Sequence, residues 1–206
     1  MNESMMLTVA CLVALAIFAG FPKINEWRKK RMGAAAKGLH SQQSEGKAVA
    51  IAKRFARSHS FVFINKPRLS ANGRDANLDA LVIGYFGILG VKAMGYGGTI
   101  YGSADEKVWV YKTDDANRRE FPNPLQEAAV DIRVIRDILF ASKMKTVPVE
   151  VVAVFTNENA ALALPKQTGH YTLKEFRALL SKEKYLKDTG LDLEKLTACF
   201  KQKTEE

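Results

Sequence analysis

The side chains most able to do chemistry are few and scattered. His40, His59 and His170 lie far apart, and neither Cys11 nor Cys199 stands at zinc-ligand spacing from any of them. No Walker A loop is present to cradle phosphates, and no Gly-x-Ser-x-Gly elbow to expose a serine nucleophile. Gly84-x-x-Gly87-x-x-Gly90 lacks the dinucleotide spacing and leads into a strand rather than a helix, so these read as turn glycines. Tyr85, Phe86, Tyr96, Tyr101, Trp109 and Tyr111 offer faces on which nucleic-acid bases can stack. Their strand and turn spacing fits core and hairpin pairs better.

A series of landmarks in residues 75–125 is more informative. Asn77-Leu78-Asp79-Ala80-Leu81-Val82-Ile83-Gly84 is followed by Gly87-Ile88-Leu89, then by Tyr96-Gly97-Gly98-Thr99-Ile100-Tyr101-Gly102. Trp109 and Phe121-Pro122-Asn123-Pro124-Leu125 complete the order. The series resembles the nuclease-related domain (NERD) family. Its members share an aspartate-led strand, a Gly-Ile/Val-x-x-Ile-Glu-x-Lys strand, a Gly-x-Ile-x-Gly hairpin, a Trp and an Asn-Pro-Leu helix start. The match spans about residues 44–180. It implies an α/β, restriction-endonuclease-like fold, with a mixed β-sheet flanked by helices. It also implies a bacterial, DNA-processing context in which members are often membrane-tethered.

The departures from that pattern bear directly on activity. Such nucleases hold Mg2+ or Mn2+ between carboxylates while a lysine orients water, and Glu-x-Lys places both groups on one strand face because side chains alternate. Here the glutamate position falls on Lys92 and the lysine position on Met94, while Asp79 matches the family aspartate. In the first helix the family's Gly-Glu pair falls on Gly46-Lys47, with Glu45 one position earlier. The helix glutamine falls on Glu127, with Gln126 one position early. On this alignment Asp79 would be neutralised by Lys92, or Lys92 would stand solvated. No metal or other cofactor is expected. The resemblance therefore implies an inactive relative, a pseudoenzyme, serving as a binding or scaffold module. One alternative is a divergent metal-dependent DNA nuclease in which Glu45, Asp75 or Glu127 replaces the lost ligand. The other is a protein-interaction domain with no nucleic-acid role.

The elements that must position these residues are readable from periodicity. Ala48, Ile51, Ala52 and Phe55 recur at helical spacing opposite Lys47, Lys53, Arg54 and Arg57, predicting a helix that ends near Ser58. Strand-like runs follow at 61–64, 78–83 and 87–94, with a hairpin formed by 99–101 and 108–111. Asn123-Pro124 opens a helix whose apolar face is Leu125, Ala128, Ala129, Ile132, Ile135 and Leu139, with Asp131, Arg133 and Arg136 off it. Residues 148–155 read as a buried strand reached by a crossover, and Thr172-x-x-Glu175 as a capping box. A last helix is expected from about 192 to 203.

Net charge is distributed unevenly. Residues 22–60 hold ten basic and two acidic side chains, a net of +8, whereas residues 61–206 hold twenty-one and nineteen, a net of +2. The excess follows an uncharged run of 17 residues, Met5 to Phe21, which as a helix spans roughly 25 Å, the short end of a bilayer crossing. Lys23, Trp27, Arg28, Lys29, Lys30 and Arg31 stand directly after it, where cations face the cytoplasm and lipid headgroups. A cleaved signal peptide would carry a basic start, whereas this one carries Glu3, and a buried core helix suits the cationic run poorly. The expected layout is an outside N-terminus (1–4), a single-pass transmembrane helix (5–21), a basic tether (22–43), the NERD-like domain (44–183) and a C-terminal helical extension (184–206). Membrane lipid is the expected partner, with DNA or another protein as further candidates. Two cysteines in distant segments suit a reducing compartment.

Overall fold

The computed structural model describes residues 42–113, 118–165 and 169–201, with side chains from residue 46 to residue 200. The expected transmembrane helix, its cationic flank and the Glu45 side chain lie outside the described residues. Among the described residues no helix is long and apolar enough to cross a membrane.

The described chain runs α1 (Gln42–Ser58), β1 (Val62–Asn65), β2 (Arg68–Ala71), β3 (Arg74–Asn77), β4 (Ala80–Gly84), β5 (Gly87–Met94), β6 (Gly98–Tyr101), β7 (Val108–Lys112) and β8 (Arg118–Pro122). It continues with α2 (Pro124–Ala141), β9 (Val149–Phe155), β10 (Ala160–Ala163), β11 (His170–Thr172), α3 (Leu173–Leu180), a 3-10 turn (Glu183–Tyr185) and α4 (Leu193–Lys201). The main sheet has the order β1-β4-β5-β9-β11. β1, β4 and β5 pair antiparallel, and β5, β9 and β11 pair parallel. α2 makes the crossover from the meander to β9 that parallel pairing requires. The result is a mixed sheet flanked by helices, consistent with a nuclease-like fold.

β5 is buried along its whole length because it is covered on both faces, which is why it reads as a continuous apolar run. Leu89, Val91 and Ala93 face one core, shared with Ala52 and Phe55 of α1 and Phe176 and Leu179 of α3. Ile88 faces the other, with Val134, Ile135 and Ile138 of α2 and Leu196 and Phe200 of α4. The C-terminal helix, expected as an extension, thus docks into the second core. A smaller sheet, β10-β6-β7-β8, and a hairpin, β2-β3, complete the described strands.

Two glycines explain the tight joins. Gly87 has φ of 115°, and a Cβ there would lie 2.3 Å from the Pro148 carbonyl oxygen, so only glycine lets β5 begin beside β9. A Cβ on Gly102 would lie 2.3 Å from the Trp109 ring, whose Nε1 donates to Ser103 O at 2.8 Å.

Candidate functional site

The site gathers where β5, α2 and the end of β3 meet. Lys92 alternates with Val91 and Ala93, so it points to the α2 side of the sheet. There it is 4% exposed. Its Nζ donates to Asp131 Oδ2 at 2.8 Å and to the Asn77 carbonyl oxygen at 2.7 Å, with Glu127 Oε2 at 3.7 Å. Asp131, 2% exposed, spends its other oxygen on the Asn77 N–H at 2.8 Å. Glu127 and Asp131 are four residues apart and share one side of α2.

Both expectations for Lys92 are corrected here. It is neither solvated nor the partner of Asp79. Asp131, expected off the buried face, is its counter-ion. Asp79 sits in the bend between β3 and β4, where its N–H donates to Val91 O and its Oδ2 accepts the Ala93 N–H at 2.7 Å. Its carboxylate thus continues the β4–β5 ladder for one more hydrogen bond, in place of a backbone carbonyl.

The remaining residues of the aligned motif do not all converge. Met94 is buried at the end of β5, where its carbonyl accepts from both the backbone and the hydroxyl of Thr156. Lys47, on the α1 side, pairs with Glu158 at 2.6 Å, and that contact holds the Glu158 carboxyl below its usual value. Asp75 is exposed and, with Lys66, Arg68, Asn77 and Asp79, lines an open cleft of about 910 Å3 beside the β2-β3 hairpin. Burial pushes the Glu127 carboxyl above its usual value, Lys92 pulls it back and Asp131 pushes it further up.

The donor set can be tested against a divalent cation, which needs several oxygens at about 2.0–2.6 Å. Both Asp131 oxygens are taken, one Asp79 oxygen is taken, and the Lys92 ammonium occupies the space between Asp131 and Glu127. As arranged, these residues do not fit a metal ion. Among the described residues, no three His, Cys, Asp or Glu side chains gather around a common point.

Asn123 is the main positioning residue. Its Oδ1 caps α2 by accepting the Leu125 N–H, while its Nδ2 lies within 3.1 Å of the carbonyls of Ser103, Ala104 and Glu106. The Asn-Pro-Leu landmark therefore ties the start of α2 to the β6–β7 loop. Of the aromatic candidates, Phe86, Tyr96, Trp109 and Tyr111 are core residues, while Tyr85 and Tyr101 are exposed.

Comparison with known families agrees with this architecture. The model of the nuclease-related domain family matches residues 41–156, over half of the chain. The chain belongs to the nuclease-related domain family. No curated protein and no solved structure matches it.

Proposed function

We propose that this protein is a catalytically inactive member of the nuclease-related family, held at the membrane by one N-terminal helix and working as a binding or scaffold module on the cytoplasmic side. The observation that carries the inactive reading is the buried Lys92 ammonium, seated among Asn77 O, Asp131 and Glu127. Metal-dependent phosphodiester hydrolysis needs carboxylates free to hold a cation against the scissile phosphate. Here the carboxylates of α2 already face a cation that cannot leave, and Asp79 serves the strand ladder. The match to the nuclease-related family supports the fold but not the chemistry.

The deciding experiment is incubation of a chain from residue 41, and of the full chain, with plasmid DNA and Mg2+ or Mn2+. No nicking beyond an EDTA control is expected. Metal-dependent cleavage that Asp79→Ala abolishes would establish a divergent nuclease instead. The anchor is tested separately by alkaline carbonate extraction, from which the full chain is expected to stay with the membrane.

A further inference from the structure

The face of the main sheet away from Lys92 carries a different pattern. Between α1, α3 and the 3-10 turn runs a groove of about 330 Å3 with Ile51, Phe55, Leu180 and Leu186 on its walls. Arg54 and Arg177, both exposed, line it as well. Leu186, 48% exposed, stands at the rim of the groove. Arg177 also lines an adjoining groove with Lys47 and Lys174, so cations from α1 and α3 meet on one surface. The surrounding acids include Glu183 of the 3-10 turn and Glu150, which pairs with Lys184. Glu158 is paired with Lys47, and Glu175 closes the α3 capping box through Thr172. From Gly46 to Ser58, α1 carries Lys47, Lys53, Arg54 and Arg57 and no acid.

An apolar trough beside exposed guanidinium groups is the chemistry of an interfacial surface, with cations for anionic headgroups and aliphatic side chains for the acyl boundary. Nucleic acid suits it less well. The rings beside the groove are engaged with one another, Phe55 with Phe61 at 5.7 Å and His59 with Phe61 at 5.4 Å. We propose that the α1–α3 face docks peripherally on an anionic bilayer. The proposal deepens the membrane reading but does not depend on the anchor, since every residue it uses lies between 47 and 186.

Both cores are built from residues 48–200, so a chain beginning at residue 41 keeps all of them and separates surface docking from anchoring. Its cosedimentation would be measured with vesicles of phosphatidylcholine and of phosphatidylcholine mixed with phosphatidylglycerol. Binding is expected only with phosphatidylglycerol and is weakened by salt. The pair Arg54→Gln and Arg177→Gln should lower affinity about thirtyfold. Leu186→Asn should also weaken it, with an unchanged melting temperature as the check on folding. Arg133→Gln with Arg136→Gln, exposed cations of α2, should have no effect. Equal binding to neutral vesicles, equal loss from the α2 pair, no loss from the Arg54 and Arg177 pair, or preference for duplex DNA over the anionic vesicles would each overturn the proposal. Retention of the full chain in membranes without vesicle binding by the shorter chain would support the anchor and refute the docking face.

Discussion

At the scale of single residues, the centre depends on the Lys92–Asp131 pair. Removing one partner of a buried ion pair strands the other charge, and typically costs about 3–5 kcal/mol. Lys92→Met should therefore lower stability by about that amount in urea titration, and Lys92→Met with Asp131→Asn should recover part of it. Asparagine keeps an oxygen for the Asn77 N–H while removing the stranded charge. A double variant no better than Lys92→Met would show that the pair is not the source of the loss. Glu127 gives a pH signature. Its folded-state value lies above the usual 4.5, so the folded chain holds this proton more tightly than the unfolded one. Its contribution favours folding below 4.5 and is lost as pH rises from there through the folded value. Glu127→Gln should thus gain melting temperature relative to the parent as pH rises past that window, with the smallest difference in acid. A difference flat from acid to neutral pH would contradict the burial argument. The aligned motif located Asp79, Lys92 and Glu127 in the sequence. It could not supply Asp131, because periodicity along α2 separates charged from apolar positions and does not show which charged position has a buried partner.

At the scale of elements, the strongly patterned segments were legible and the polar ones were not. The start of α2 follows from Asn123-Pro124, β5 from its apolar run, and α3 from the Thr172–Glu175 capping box. The β2-β3 hairpin is weakly marked in the sequence, although Asn72-Gly73, at φ of 52° and 70°, is a strong two-residue turn signal. Arg68-Leu69-Ser70-Ala71 alternates over only four residues, and Arg74-Asp75-Ala76-Asn77 has Ala76 as its one apolar side chain, so the pattern is too short to signal strands. Yet this hairpin delivers the Asn77 backbone to Lys92 and Asp131. Asn123→Ala should cost about 2 kcal/mol or more by thermal or urea unfolding, since a cap alone is worth about 0.5–2 kcal/mol and three loop carbonyls lose a donor as well. A loss below about 0.5 kcal/mol would mean that water replaces the amide without penalty. On β11, burial holds the His170 imidazole below its usual 6.5, with Glu175 partly offsetting it. Its contribution is complete above 6.5 and is lost as pH falls through the folded value, so His170→Phe should flatten acid sensitivity in that range. Equal acid sensitivity in the variant would assign the effect elsewhere.

At the scale of the molecule, the main sheet separates two layers with different characters. The α2 side carries the ion cluster of Lys92, Asp131 and Glu127, and the α1–α3 side carries the cationic groove. The near-neutral total of residues 61–206 hid that groove, because half of its charge comes from α1, ahead of that window, and is joined to α3 only by folding. Two side chains at the start of α2 tie the smaller sheet to the main body: the amides of Asn123 and Gln126 both reach carbonyls of the loop between β6 and β7. Hydrogen-bonded segments tied together in this way open as one cooperative unit, and amide protons on both sides then exchange at similar rates. The β6 and β7 amides should accordingly exchange in step with the first turns of α2. Cutting both ties, by Asn123→Ala with Gln126→Ala, should let the small sheet breathe on its own, more often, while exchange in β5 and β9 is unchanged.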